Sequence, residues 1–452
     1  MTMTPAKILT AATPIFAISA FFVSLGNYPL LDNNEGLYAS IASEMRRSGE
    51  YVIPHFNGLP YLEKPPLLFW LTALSFALQG TDEFAARTVP ALASLTVVTG
   101  AVFFGHRASR PLAGAIAGIV LSTAAIMMVI GRTAYFDMLL SACLSWTLIS
   151  AYFGITEKRR AWMYACAVAL ALGTLAKGFV AVIVSGATIA LFLIATRAPA
   201  RSWRALFDPR VIAVYLAIAT PWHIAASFAR PEWTEFYLYN EHIGRFLGAR
   251  EPRDYYSGPF WYYLPRVFAY LAPWTIILPV LIVRRRSVPN EAADAWSIFL
   301  WCWFASSLAI FTAAGNKANY YMIVTAVPLA LLIAQRISLW FEIVRTRYIW
   351  GLAAGAAAIV IGGLAGIDVT CSPNLGELYP YCGEIAPPTY APMAALCAGF
   401  ALAAYRWRNA SWRPLLPLLL VATLSIPLRD VMVDAASHFE DRLCPNARWR
   451  PV

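Results

Sequence analysis

Apolar runs of about 17 to 22 residues recur along the chain, separated by short polar stretches that hold nearly all of its charge. A run of that length covers the ~30 Å hydrocarbon core of a bilayer when wound as a helix. The pattern predicts crossings near residues 8–25, 84–105, 111–130, 134–154, 161–176, 178–196, 211–229, 262–283, 295–314, 318–336, 348–366, 390–405 and 413–428. One further run, PLLFWLTALSFALQG at 66–80, is short for a crossing and ends at Gly80. Laid along the membrane surface it leaves thirteen crossings; counted as a span it inverts the side of every later loop.

The distribution of basic residues decides between these topologies. With 66–80 on the surface, the loops on the side of the N-terminus carry HRASR, EKRR, RAPARSWRALFDPR, RRR, the Arg336–Arg347 segment and RWRNASWR. That matches the positive-inside rule, and the alternative reverses it. The reading is therefore an all-α polytopic membrane protein of about 13 helices with its N-terminus cytoplasmic. One transmembrane unit covers 1–429, with external loops at 26–83, 230–261 and 367–389 and a short external tail at 430–452. Residues 8–25 follow Lys7 as a signal peptide would, but no small-residue cleavage site precedes NYPLLDNNE, so a retained first helix is expected.

The first external loop interrupts the apolar pattern most. Residues 34–48 read as an amphipathic surface helix, capped by Asn33 or Asn34 and stopped by Gly49. Leu37, Ile41 and Met45 are expected to dip into lipid, with Glu35 and Tyr38 turned to whatever lies above. Together with 66–80 this gives two surface-lying helices joined by YVIPHFNGLPYLEKP.

Composition agrees with a membrane protein: 59% of residues are hydrophobic and 13% charged. The net charge of +10 is spread over the short clusters above and forms no single patch, which argues against a nucleic-acid partner. Of seven cysteines, Cys143, Cys166, Cys302 and Cys397 fall in predicted spans, and Cys371, Cys382 and Cys444 fall outside them. A Cys371–Cys382 bridge suits an oxidising compartment, with Cys444 a competing partner. No CxxC pair, P-loop, GxGxxG fingerprint or internal repeat occurs.

In the thirteen-span topology the unusual polar residues collect on the outer side. Glu35, Glu63 and Lys64 lie in the first loop, Arg132 and Asp137 in the tight 131–137 turn, and Lys177 in TLAKGF. Glu241, His242 and Arg245 follow in 230–261, then Lys317 and Tyr320 in GNKANYY. Charges at membrane helix ends are costly unless paired or wetted, so their convergence suggests a lined cavity. Lysine and arginine suit a phosphate, a carboxylate with a histidine suits a divalent metal, and Tyr38, Tyr61 and Tyr320 suit a sugar face. Each has an ordinary alternative: Lys64 snorkelling to lipid phosphate, Asp137 pairing with Arg132 to hold the turn, Lys177 anchoring topology, His242 a plain loop histidine.

NNEGLYASIASEM followed by SGEYVIPHFNGLPYLEKPP resembles the first external loop of the lipid A aminoarabinose transferase family, within the protein-O-mannosyltransferase-like GT-C glycosyltransferases. Further resemblance runs through Asp137, the AKGF Lys177, EHIGRF at 241–246 and NKANYY. The resemblance implies a GT-C fold in a bacterial inner membrane with a periplasmic active site. It also implies a donor sugar carried on a polyprenyl phosphate and an envelope lipid or glycan as acceptor. Glu63 and His242 then match a pair holding a divalent metal, zinc or magnesium/manganese. Lys64, Lys177 and Arg245 match residues gripping the donor phosphate, Asp137 an acidic cavity residue, and Lys317 and Tyr320 the far wall, from which Lys317 is also expected to reach the donor phosphate.

Two departures from the family matter. Asn34-Glu35 stands where the family has Asp-Glu, so the acceptor-orienting carboxylate falls to Glu35 or Asp32, or the acceptor needs little help. The sizeable C-terminal external domain is reduced to 367–389 and a short tail. The expected reaction is sugar transfer with inversion through an oxocarbenium-like transition state, with cations stabilising the departing phosphate. The rivals are a flippase of lipid-linked sugars and a protein O-mannosyltransferase.

Overall fold

The computed structural model describes residues 4–30, 34–252, 258–276, 294–343 and 419–423. Asp32, Cys371, Cys382, Cys397 and Cys444 lie outside these residues, as do the expected spans 348–366 and 390–405, most of 413–428, the 367–389 loop and the 430–452 tail. Among the described residues, six helices are long and apolar enough to cross a membrane: Pro5–Phe22, Glu83–Arg107, Phe136–Thr156, Ala200–Ala229, Ala295–Ala313 and Asn319–Leu339. The protein is a multi-pass, mostly helical membrane protein.

In chain order the early helices are α1 (Pro5–Phe22), α2 (Glu35–Ser48), α3 (Leu67–Gln79), α4 (Glu83–Arg107), α5 (Pro111–Thr123), α6 (Ala125–Ile130) and α7 (Phe136–Thr156). Next come α8 (Arg160–Lys177), α9 (Val180–Ala195), α10 (Ala200–Leu206) and α11 (Pro209–Ala229). α7 is buried along almost its whole length and packs against α4, α8 and α9. Glycines allow the tightest contact, between α4 and α5: a Cβ on Gly105 would sit 2.3 Å from the Gly114 Cα. Small residues at helix crossings let backbones approach where lipid supplies no hydrophobic drive.

Local signals set several boundaries. The Asp82 carboxylate accepts from the Ala85 N–H at 2.7 Å and starts α4. Gly49, with φ 73°, closes α2 by donating to the Met45 carbonyl at 3.0 Å.

Four expectations need correction. First, the single span expected at 111–130 is two helices. Ala124 is extended, and the Ala125 N–H leaves the helical ladder to donate to the Ala272 carbonyl at 3.0 Å. Second, the fold is not purely helical. His55–Phe56 and Leu59–Pro60 form an antiparallel hairpin, β1 and β2, whose Asn57-Gly58 turn has both φ angles positive. Third, Ile41 and Met45 do not dip into lipid; they are buried in the protein core, with α2 packed on α3. Fourth, Glu35 points inward.

Glu35 is fully buried and accepts from Arg87 through both oxygens, each at 2.8 Å, and from the Ala134 N–H at 2.9 Å. Arg87 also donates to the carbonyls of Leu25, Tyr28 and Pro29 and stacks 3.7 Å from the Tyr28 ring centroid. The bidentate pair with its satisfied donors clamps the end of α1 to α2, α4 and the start of α7.

Candidate active site

The site is built where the segment after the hairpin meets the segment after α11. Residues 231–247 continue α11 as a short helix α12 (Pro231–Glu235), a π-helix (Phe236–Gly244) and one turn, α13 (Arg245–Leu247). π-helical turns are rare and recur at functional sites, because the wider turn re-aims side chains. This one presents Glu241 and His242, and Arg245 follows directly.

Glu241 is the hub. Its buried carboxylate takes Lys64 at 3.0 Å, Arg245 at 2.8 Å and Arg250 at 2.5 Å. Glu63 pairs with Arg250 at 2.8 Å and lies 3.6 Å from Lys64 and 3.9 Å from Arg245. Across the cavity, Lys177 at the end of α8 binds Asp137 at the start of α7. The Lys177 ammonium sits 4.4 Å from the Tyr321 ring centroid and 5.5 Å from that of Tyr320. A cavity of about 160 Å³ lies between these groups, with Lys64, Lys177, Glu241, Arg245, Tyr237 and Tyr321 on its walls.

Electrostatically, among the described residues four cations (Lys64, Lys177, Arg245, Arg250) share three carboxylates (Glu63, Asp137, Glu241). Burial pushes the Glu241 carboxyl up, but Lys64, Arg245 and Arg250 together outweigh it and hold it at about 2. Burial lowers the Lys64 ammonium, Arg245 adds to that, and the two glutamates oppose it. A cluster of this kind suits an anion with two or more acceptor oxygens, which replaces shared carboxylates with oxygens of its own.

The remaining expected site residues are placed as follows. Tyr61 donates to Glu63 at 3.3 Å. Tyr38 packs edge-on to Phe136 at 4.8 Å, and its hydroxyl donates to the Asn34 Oδ1 at 3.3 Å, so it braces the first loop beneath the cavity. Tyr320 stacks near Tyr135 at 5.1 Å beside Lys177. Arg132 donates to the Ala20 and Val23 carbonyls, and Asp137 pairs with Lys177, so no Arg132–Asp137 pair holds the turn.

Lys317 departs from its expected role on the donor phosphate. Its buried ammonium donates to the carbonyls of Thr312 at 2.7 Å and Ala314 at 2.6 Å, capping the end of α15 (Ala295–Ala313), which follows α14 (Tyr263–Tyr270). A cation on the last carbonyls of a helix is the ordinary way to satisfy them. Glu35, expected among the catalytic residues, is committed to Arg87 as described above.

The expected metal pair does not fit a metal either. The His242 Nδ1 bonds the Tyr237 carbonyl at 2.7 Å, and its Nε2 accepts from the Phe179 N–H at 3.2 Å, so both ring nitrogens are committed to main chain. Glu63 is committed to Arg250, and no group of three or more His, Cys, Asp or Glu residues suited to a metal occurs among the described residues. The imidazole instead ties the π-helix to the α8–α9 turn. There Gly178, with φ 79°, ends α8, and a Cβ would fall 2.2 Å from His242 Nε2.

The sequence reading missed Arg250, Tyr321 and Tyr237. Nothing local marks Arg250, nine residues beyond the carboxylate it binds. Tyr321 adjoins the Tyr320 already singled out. The Tyr237 hydroxyl is buried at the cavity wall with no hydrogen-bond partner among the described residues.

Residues 63–224 match the family described as dolichyl-phosphate-mannose-protein mannosyltransferase. Among curated relatives, the undecaprenyl phosphate-alpha-4-amino-4-deoxy-L-arabinose arabinosyl transferase of Aeromonas salmonicida is 29% identical over 333 residues, 73% of this chain and 60% of that protein. A protein of the same description, numbered 1, from Pseudomonas fluorescens is 27% identical over 71% of this chain and 56% of its own length. The chain thus spans less than two thirds of the length of these relatives. The crystal structure of ArnT from Cupriavidus metallidurans bound to undecaprenyl phosphate superimposes with a TM-score of 0.79 at 24% identity, covering 95% of this chain and 77% of that one. These matches show the resemblance to the lipid A aminoarabinose transferase-like family that the loop motifs carry, and the fold is that of the solved ArnT structure.

Proposed function

We propose that this chain is a membrane glycosyltransferase that moves a sugar from a polyprenyl-phosphate donor to an envelope acceptor, with inversion. The single observation that carries the reading is the cavity in which one buried carboxylate, Glu241, is shared by Lys64, Arg245 and Arg250. A phosphate that enters offers its own oxygens to these cations, and the same cations stabilise the charge that builds on it as the glycosidic bond breaks. Lys177 adds a fourth cation from the far wall, and the Tyr237 hydroxyl offers a donor. The relatives' names and the undecaprenyl phosphate in the solved neighbour point to the same donor class.

The acceptor side is inferred from what is committed elsewhere. Glu35 is locked to Arg87, Asp137 to Lys177, and position 34 is an amide. An acceptor that brings its own ionised oxygen, such as a phosphate monoester with a second pKa of about 6, needs no strong base. A protein hydroxyl as acceptor is the second reading, favoured by the family match over 63–224.

We place the cavity on the periplasmic side of the bacterial inner membrane, in a chain of thirteen crossings with its N-terminus inside, on the strength of the basic-loop asymmetry. The deciding experiment supplies purified protein in vesicles with a radiolabelled polyprenyl-phosphate sugar and envelope lipids. The expected result is label on an acceptor, lost in Lys64→Ala and Arg245→Ala. Movement of intact donor between leaflets without transfer would make the protein a flippase instead. In the same assay, a large gain on hydroxyl acceptors by Asn34→Asp would show that the amide narrows acceptor choice.

A further inference from the structure

A second cavity, of about 690 Å³, lies at the opposite end of α8 from the candidate active site. Arg160 opens α8 beside this cavity and Lys177 closes it beside the other, so the 18-residue helix separates them by about 27 Å, most of a bilayer core. Its walls come from the α7–α8 turn, α10 and the start of α11. They carry Lys158, Arg159, Arg160, Arg201, Arg204 and Arg210. Asp208 is the acid among the lining residues; its side chain caps α11 at the Arg210 N–H and lies 3.4 Å from Arg160.

From this juxtaposition we propose that the cavity binds the phosphate headgroup of an anionic membrane lipid in the leaflet opposite the active site. The basic set outnumbers the carboxylate heavily, and five of its six members are arginines, whose planar forks suit phosphate oxygens. All six are exposed, so they keep their charge and stay within reach of a headgroup. Phe207, 69% exposed at the end of α10, stands at the mouth, where an aromatic ring seats at the headgroup level. Trp203 and Leu206 on the same short helix pack against core residues and fix it to the protein. Basic pockets between membrane helices recognise lipid headgroups in this way. A soluble phosphate offers the same chemistry; the rim aromatic and the position at the membrane edge favour the lipid. The inference uses none of the groups assigned to sugar transfer and stands apart from that reading.

The test uses the full chain in detergent, exchanged with phosphatidylglycerol, phosphatidylcholine or inorganic phosphate. Native mass spectrometry is expected to show phosphatidylglycerol retained at least about tenfold over phosphatidylcholine. The combined variant Arg201→Gln, Arg204→Gln, Arg210→Gln should lose that preference, and Lys64→Ala at the other end should keep it. If the triple variant does not fold, the single variant Arg204→Gln should reduce retention roughly threefold. Equal retention of both lipids, undiminished retention in the arginine variants, or displacement of the lipid by millimolar inorganic phosphate would overturn the proposal.

Discussion

Replacing Glu241 by glutamine removes the more deeply buried of the two carboxylates that three cations share, while keeping the shape of the side chain. Glu241 is 6% exposed, so water offers Lys64, Arg245 and Arg250 little compensation when the carboxylate goes. The cations hold its carboxyl at about 2 against an ordinary 4.5, which corresponds to about 3 kcal/mol in favour of the ionised folded form. Unfolding in detergent without ligand should therefore weaken by about 3 kcal/mol in Glu241→Gln, within the range for breaking a buried ion pair. An added polyprenyl phosphate supplies the missing anion, so it should stabilise the variant more than the wild type. The pH sign follows from a depressed folded-state value: the contribution is complete above about 4.5 and is lost as pH falls towards about 2. Wild-type stability should thus fall through that window and the variant's should not. An unchanged unfolding midpoint, or equal stabilisation of both proteins by polyprenyl phosphate, would refute the hub.

Glu35→Ala should cost about 3–5 kcal/mol by leaving the Arg87 guanidinium buried without its anion. The fraction that still folds should keep a near-normal turnover number, where a catalytic carboxylate would lose it. Lys317→Met should lower the unfolding free energy by about 1 kcal/mol and leave polyprenyl-phosphate affinity within about threefold, because its ammonium serves two helix carbonyls; Lys64→Met should weaken that affinity tenfold or more, measured by titration. Burial lowers the His242 imidazole below its ordinary 6.5, so the unfolded chain takes up a proton that the folded chain refuses. Stability should fall as pH drops below about 6.5, and His242→Gln should flatten that slope in a thermal-shift series across pH 5 to 7.

The departures from the sequence reading share one cause. Glu35 was legible as an important acid because a carboxylate opening an amphipathic helix is conspicuous, but its partner lies 52 residues on, within an apolar run. Lys317 was legible as an interfacial cation, yet whether a lysine reaches a ligand or its own helix end depends on where that helix stops. His242 lies beside Glu241 in sequence, but the π-helix turns its ring to the Tyr237 carbonyl and the Phe179 N–H. The resemblance at 33–66 and 241–246 singled out segments that the structure brings together; it could not say which charges face one another inside them.

The membrane class and most of the described helix boundaries were determined by the sequence alone, because hydrophobic periodicity and stop signals such as Gly49 and Gly80 act over a few residues. The break at Ala124, the Asn57-Gly58 hairpin within the first loop and the division of the charges into a structural clamp, a helix cap and a shared cluster were decided only by the tertiary structure. Lys64 and Glu241 stand 177 residues apart in the chain and 3.0 Å apart in space. Coulomb energy depends on that second distance and on the water left around it, and neither is written in the order of the residues.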